Sequence, residues 1–450
     1  MKKIVIIGAN HAGLAAINVI VNSGIEAELV VFDKNSNLSY LGCGTSLFVG
    51  KQVESVNNLF YTSKDAYETK SSKIHINTEI NKIDFIEKVV YAENQEKVEI
   101  KTEYDELILA TGANPIELNL EGRDLKNIHT VKIFQDCQVV DQLLEDEAIQ
   151  NIVVIGAGAI GIEMAEAVKR RGKSVDLIEK KATCMSNYFD PWFSEDMDAC
   201  LMDNDIHLHY LEEVLAFQGE EFVEQVVTNK AVYQADLVLI AIGFQPNTGL
   251  GKNKIRLSEQ GAFKVNLKQE TNLPGVYAIG DCATIYSNAL EKDTYIPRAT
   301  NAVRSGMIAG SNISGIDLES TGTQGTTGIS IFGYNMVATG LNLSEAKKAR
   351  FDVLYTEFED LQKPVFMEEN HSVKVRIVYD KNTRRILGAQ LASYHDISMG
   401  IHFFSLAIEE KVTIDKLKLT DIFFLPHFNQ PYNYITMAAL GAKYLPLNRI

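Results

Sequence analysis

The chain carries one unit twice. Lys3-Ile4-Val5-Ile6-Ile7 runs into Gly8-Ala9-Asn10-His11-Ala12-Gly13, and Asn151-Ile152-Val153-Val154-Ile155 runs into Gly156-Ala157-Gly158-Ala159-Ile160-Gly161. An apolar run ended by a glycine turn reads as a buried strand, and the small residues beyond each turn read as a helix, in the first unit from about Gly13. A duplicated strand–turn–helix unit of this kind predicts an α/β chain with two Rossmann-like nucleotide-binding domains.

The rest of the chain can be placed around these units. Leu29-Val30-Val31-Phe32-Asp33 closes the second strand of the first unit and Val175-Asp176-Leu177-Ile178-Glu179 that of the second. Each is followed by a strand ending in a small-residue turn: Leu107-Ile108-Leu109-Ala110-Thr111-Gly112, then Leu237-Val238-Leu239-Ile240-Ala241-Ile242-Gly243. Gly275-Val276-Tyr277-Ala278-Ile279-Gly280-Asp281 returns the chain to the first unit, so the second is read as inserted in it. The expected limits are 1–115 with 245–322 for the first domain and 116–244 for the second. From about residue 325 the texture alternates as strands do, as in Val373–Tyr379, with a helix near 398–410. This last domain, 323–450, is α+β, carries no glycine fingerprint, and is assigned to subunit association.

Composition excludes several function classes. Lys and Arg number 43 against 59 Asp and Glu, a formal charge of -16. That surface repels phosphate backbones, so nucleic acid is not an expected partner. No apolar run approaches the roughly 18–20 residues of a membrane helix. The apolar start after Lys2-Lys3 is too short for a signal peptide and reads as a first strand. Five cysteines, at 43, 137, 184, 200 and 282, are odd in number, widely spaced and free of CxxC pairs. They predict neither a disulfide framework nor a metal site, and they point to the cytoplasm.

The glycine turns explain themselves through phosphate. A backbone without side chains lets a pyrophosphate approach a helix N-terminus, where free N–H groups and the helix dipole hold it. An acid at the end of the second strand then binds the adenosine ribose. Asp33 stands 20 residues past Gly13, and Glu179 stands 18 past Gly161. Either glycine pattern alone would fit an ordinary turn; both together, with strand, helix and acid in register, predict two bound dinucleotides. The first turn departs from the pattern, with Asn10 where a middle glycine is usual and His11 next to it. A histidine at the positive end of a helix is expected to stay neutral, able to hydrogen-bond a sulfur species.

Cys43 lies between the two units, in Ser39-Tyr40-Leu41-Gly42-Cys43-Gly44. A lone cysteine is commonly a buried packing residue, as the other four are expected to be. Its flanking glycines and its place after the first unit suggest instead a redox thiol. A bend at a helix start is expected to favour the thiolate, below the ordinary pKa of about 8.5.

With its two glycine turns, Ala110-Thr111-Gly112 and Ala278-Ile279-Gly280-Asp281, the chain over residues 1–320 resembles the pyridine nucleotide–disulfide oxidoreductase superfamily, glutathione reductase-like in fold. The resemblance implies FAD on the first unit, held by Gly8, Asn10, Gly13, Asp33, Ala110, Thr111, Gly112 and Asp281, the last on the ribityl chain. It implies NADH on the second, held by Gly156, Gly158, Gly161, Glu163, Glu179 and Gly243. Glu163 stands where the family keeps an acid near the nicotinamide, although an exposed helical glutamate would need no such role. Glu179 favours NADH over NADPH by repelling a 2′-phosphate, with Lys180 and Lys181 softening that repulsion. Family members usually carry tyrosine where Ala159 stands, which implies a more open nicotinamide pocket here.

Disulfide reductases of the superfamily use two cysteines separated by four residues; position 48 is Phe48, which leaves the single-cysteine branch. Phe423-Phe424-Leu425-Pro426-His427-Phe428 resembles the water-forming NADH oxidases, whereas coenzyme A-disulfide reductases place tyrosine at the position of Phe424. Taken alone, Phe423–Phe428 would read as an apolar packing turn. In the family this segment, here Phe424, His427 and Phe428, reaches the active site of the other subunit of a homodimer, or of a dimer of such dimers. The activity implied is oxidation of NADH with reduction of O2 to water. Oxygen would add to the reduced flavin as a hydroperoxide, the Cys43 thiolate would cleave it and become sulfenic acid, and His11 would assist protonation. NADH peroxidase, coenzyme A-disulfide reductase and a redox-sensing flavoprotein are the alternatives.

Overall fold

In the computed structural model, which describes residues 1–69 and 71–442, the two glycine units form two parallel five-stranded sheets. The last residues of the expected association domain, 443–450, lie outside the described part. The first sheet runs Val276–Ala278, Glu106–Leu109, Lys2–Ile7, Ala27–Phe32, Ser72–His75. The second runs His207–Tyr210, Ser174–Glu179, Asn151–Ile155, Leu237–Ile240, Ile128–Thr130. Register is the same in both: Val5 pairs with Val30 and Leu107, and Val153 pairs with Asp176 and Val238. Past their first polar residues these central strands are apolar, over 4–7 and 152–155, because both faces are covered there, as parallel sheets require. Ile4, Val5 and Ile6 are fully buried, and so are Ile152, Val153 and Val154.

The helix after the first turn is His11–Asn22, two residues earlier than the sequence suggests. It packs on the Ala299–Ile313 helix with backbones nearly touching. A side chain at Gly306 would place its Cβ 2.2 Å from the Ala12 carbonyl oxygen. This close packing of helices brings the chain entering Ala299 back over the first glycine turn.

The third layer is an antiparallel sheet in the order Thr327–Ile331, Tyr334–Gly340, Ile386–Ser393, Ser372–Asp380, Val353–Leu361. One face buries Val375, Ile377 and Leu391 under the Ser398–Glu409 helix. Ile329, Ile331, Met336 and Ala392 join the core around the helices of the second unit, seating this sheet on that unit. A buried Arg376–Asp190 ion pair (2.9 Å) crosses the same seam, with Gln390 Nε2 also donating to Asp190 Oδ2 (2.7 Å). Among the described residues, no helix is long and apolar enough to cross a membrane.

Candidate active site

Each unit sets its glycine turn by the same device. Gly8 and Gly156 have φ of +101° and +102°, a conformation that L side chains avoid. A Cβ there would stand 2.2 Å from the Ala110 carbonyl oxygen and 2.6 Å from that of Ala241, the turns at the ends of the neighbouring strands. The acids close the device. The Ala9 N–H donates to Asp33 Oδ2 (2.7 Å), and the Ala157 N–H donates to Glu179 Oε2 (2.9 Å). Asp33 is buried and Glu179 half-buried; burial pushes the Asp33 carboxyl upward despite donation from Asn35 and Ala9.

Asn10 has an extended backbone, φ -98° and ψ -157°, closely matching Gly158 at -79° and -175°. Its side chain makes no cap hydrogen bond. The substitution therefore leaves the turn unchanged and alters only what projects from it. Gly158 faces open space, with no protein atom within 4 Å of where a Cβ would stand.

The two turns open into one continuous cavity of about 1490 Å³. Its wall holds Gly8, Asn10, His11, Gly13, Asp33, Cys43, Ala110, Thr111, Gly112 and Asp281 from the first unit's surroundings. Gly156, Gly158, Glu163, Glu179 and Gly243 line the part beside the second. A space this size exceeds the usual few hundred to about 1,000 Å³ of a single small-molecule site. It suits two dinucleotides lying end to end, and the two anion-holding turns fit the FAD and NADH expected from the sequence.

Gly161 stands where Gly13 stands in the first unit. It is buried behind the wall, where a Cβ would meet the Gly156 carbonyl oxygen at 1.7 Å, so it serves the close seating of helix on turn. Phe424, His427 and Phe428 do not line the cavity of their own chain. All three are exposed, with Phe428 at 56%, so the segment is not the packing turn that its composition alone would suggest.

Cys43 sits in a short 3-10 turn, Gly42–Gly44, ahead of the Thr45–Val49 helix. It is the exposed cysteine; Cys137, Cys184, Cys200 and Cys282 are buried, as packing residues should be. Among the described residues all five are free. The expected lowering of the Cys43 pKa is not found. Partial burial in the cavity pushes the thiol up, and the Glu163 carboxylate raises it further, which outweighs backbone hydrogen bonding.

Glu163 is likewise not the exposed helical residue that its place on a helix would suggest. It is half-buried, and burial together with neighbouring Glu166 pushes its carboxyl to about 7. Glu166 is itself engaged, accepting from Arg170 (2.8 Å) and from the Phe332 N–H (3.0 Å). His11 has its pKa lowered, as expected, but burial is the main cause, opposed by Asp281 and aided by Lys132.

Three contributors escaped the sequence reading. Tyr61 lies parallel to His11, ring centroids 6.1 Å apart and planes at 5°, with its Oη 3.4 Å from His11 Nδ1. Lys132 lines the cavity with its ammonium 3.8 Å from Asp281 Oδ2 and 4.3 Å from the Phe244 ring centre, and burial lowers its pKa. Arg298 stacks its guanidinium over Tyr188, 4.7 Å from the ring centre, joining the approach to the Ala299–Ile313 helix to the second unit. None stands in a motif; the fold carries Lys132 and Arg298 to the cavity wall and Tyr61 to the side of His11.

Comparisons with known proteins agree with this architecture. A pyridine nucleotide-disulphide oxidoreductase family model matches residues 2–306, and the dimerisation domain of that family matches 327–433. An NADH oxidase of Lactococcus lactis subsp. cremoris is 52% identical, covering 98% of this chain and 100% of its own. An NADH oxidase of Enterococcus faecalis is 36% identical over 98% of this chain and 99% of its own. The solved structure of a water-forming NADH oxidase from Lactobacillus brevis, bound to NADH, superposes with a TM-score of 0.95 at 32% identity, covering 98% of both chains. With its two glycine turns, shared cavity and third sheet, the chain belongs to the pyridine nucleotide-disulphide oxidoreductase family.

Proposed function

We propose that this protein is an FAD-dependent NADH oxidase that reduces O2 to water. The observation that carries the reading is a single exposed thiol, Cys43, on the wall of a cavity shared by two nucleotide turns, with His11 on the same wall. Full-length similarity to NADH oxidases supports it, one of them solved as water-forming.

FAD lies along the first unit, residues 1–115 and 245–322, and NADH along the second, 116–244. FAD, when bound, passes electrons from NADH to oxygen. Gly8, Asn10, Gly13, Ala110, Thr111 and Gly112 seat its phosphates and chain, Asp33 its adenosine ribose, and Asp281 its ribityl hydroxyls. Gly156, Gly158 and Gly243 leave room for NADH, Glu179 accepts from its ribose hydroxyls, and Glu163 borders its nicotinamide. Ala159, at the start of the Ala159–Arg170 helix, keeps that end of the cavity open.

Cys43 decides the product. Its thiolate attacks peroxide in the cavity, taking one oxygen as sulfenic acid while the other leaves as water. A second NADH supplies the electrons that return the thiolate and release a second water. Since burial holds the Cys43 thiol up, the thiolate must be formed in place rather than stored. His11, with Tyr61 Oη 3.4 Å from its Nδ1, hydrogen-bonds the peroxide oxygen and helps its protonation. Burial keeps that imidazole neutral, so it acts as a hydrogen-bonding partner of the oxygen species and not as a charged acid.

The protein works as a homodimer in the cytoplasm, in which the exposed Phe424, His427 and Phe428 of one protomer reach the cavity of the other. A two-fold axis makes both exchanges equivalent.

Oxygen uptake against NADH consumption tests the reading. Two NADH per O2, unchanged by catalase, is the expected result. One NADH per O2, with oxygen returned by catalase, would mean that peroxide escapes. No uptake until peroxide is supplied would reassign the protein as a peroxidase. Cys43→Ser should keep NADH consumption but release peroxide; if it still makes water alone, the role given to Cys43 is wrong.

A further inference from the structure

The segment that carries Cys43 begins and ends on the first unit but is seated on the second. At its start the Ser39 N–H donates to the Ala9 carbonyl of the first glycine turn (3.5 Å), and at its end Tyr61 lies parallel to His11. Tyr40 and Phe60 close the segment as an isolated β-bridge. Tyr40, Val49 and Leu59 are buried in the core that holds Cys137, Val140 and Ala167 of the second unit's helices, and Phe48 and Phe60 pack against it. Gly50 shows how close the contact is, since a Cβ there would stand 3.1 Å from the Ala167 Cα. His11 is thus placed by one unit and Cys43 largely by the other.

A charge cluster fastens that seat. A helix ends in carbonyls that need donors from elsewhere. At the end of the Thr45–Val49 helix, Arg171 Nη1 donates to the Val49 carbonyl (3.0 Å), from the residue that caps the Ala159–Arg170 helix. The same nitrogen donates to Asp141 Oδ1 (2.7 Å), and Nη2 stands 2.9 Å from Glu145 Oε1, both acids on the Phe134–Glu145 helix. Lys51, just past the Cys43 helix, closes the cluster 2.9 Å from Asp141 and 3.0 Å from Glu145. The Arg171 side chain is 8% exposed, so solvent ions screen these contacts weakly. A guanidinium suits the place because its planar fork serves several acceptors at once and its charge complements a helix C-terminus.

We propose that Arg171 is a positioning residue for Cys43. By tying the Val49 carbonyl to Asp141 and Glu145 it holds the Cys43 segment on the second unit, so that peroxide formed in the cavity meets the thiol before it escapes. The inference rests on the reading that Cys43 cleaves peroxide. Neither Arg171 nor Lys51, Asp141 or Glu145 lines the cavity, so the cluster touches no bound nucleotide and acts only through the segment it holds. Loss of the clamp therefore leaves hydride delivery intact and changes where the thiol stands when peroxide appears.

The test joins alkylation to product analysis on the FAD-loaded protein. Arg171→Met keeps the apolar stem and removes every donor. Cys43 should then react with iodoacetamide about tenfold faster, as a segment does when its local opening becomes easier, while the four buried cysteines stay protected. Peroxide released per NADH, read as oxygen returned by catalase, should rise about tenfold with it, and anaerobic reduction of the flavin by NADH should be unchanged. Arg171→Lys, which keeps the charge, should recover most of both effects. Val226→Ala, buried in the second unit within a different core, should lower the melting temperature and move neither readout. If Arg171→Met does not fold, Glu145→Gln at the exposed edge of the cluster should give the same changes at about twofold. Unchanged alkylation in the folded variant, or equal changes in Val226→Ala, would overturn the proposal. So would faster alkylation without more peroxide in an enzyme whose wild type makes water. Stoichiometric peroxide from the wild type would instead remove the oxidase reading, and the alkylation rates would still judge the clamp.

Discussion

The two glycine units share a backbone and differ in what they hang on it. Both have a left-handed glycine, a neighbouring strand end that approaches within a Cβ radius, and an acid that ties the turn to the second strand. Where the second unit has Gly158 and Ala159, the first has Asn10 and His11. Where Glu179 is half-buried and followed by two lysines, Asp33 is buried and followed by Lys34 and Asn35. The lesson is that the phosphate-holding backbone is indifferent to these positions. They are free to differ, so that Asn10 and His11 put polar side chains on the cavity wall of one unit where Gly158 and Ala159 leave space in the other.

The sharpest way to break this comparison is at the shared glycines. Gly8→Ala forces a side chain into left-handed backbone and onto the Ala110 carbonyl, and should yield protein without yellow flavin. Retention of flavin at normal affinity, read by absorbance after gel filtration, would show that the turn relaxes more easily than its geometry implies.

Next in size is the pair of residues that distinguishes the turns. His11→Ala makes the first turn resemble Gly158-Ala159, and should lower kcat about 100-fold, as loss of acid–base assistance does, while flavin stays bound. An unchanged kcat in steady-state oxygen uptake would reduce His11 to a structural residue stacked on Tyr61.

Smaller is the effect of Gly158→Ala. The backbone there is extended and the added methyl meets no protein atom, so folding should be unaffected. The methyl instead enters the nucleotide path, and KM for NADH should rise about tenfold, equivalent to about 1.4 kcal/mol. A fall in melting temperature without a change in KM would mean that Gly158 serves the fold and not the ligand.

The smallest effect tests coupling between the units. Glu163 titrates near 7 and its charge raises the Cys43 thiol pKa. Below pH 7 Glu163 is mostly neutral and exerts little effect; above it, the anion disfavours the thiolate. Glu163→Gln should therefore alkylate at Cys43 faster than the wild type, by about threefold above pH 7, with the two converging below pH 6. Equal rates at pH 8, followed by mass spectrometry of the Cys43 peptide, would uncouple the two groups.

Much of the site was legible because its signals are local. Glycine spacing, apolar runs and the acids at 33 and 179 are readable within about thirty residues, and the backbone alone enforces them. Cys43 stood out for a similar reason, since two glycines and a lone thiol need no partner to be noticed. Gly161 carries two demands that look alike in sequence, since a glycine needed for helix seating and one needed for ligand approach have the same signature. Tyr61, Lys132 and Arg298 were invisible because no periodicity leads to them.

The amino-acid sequence by itself determined two parallel sheets, the glycine turns that end their strands, the separate third sheet and the candidate thiol. Those follow from propensity, patterning and residue spacing, which act along the chain. The tertiary structure alone decided the protonation of the site. Cys43 is pushed up and not down, Glu163 stands near 7, and His11 is neutral chiefly through burial. Desolvation and the approach of charges distant in sequence set these values, and neither exists until the sheets have brought Cys43, Glu163, Asp281 and Lys132 around one cavity.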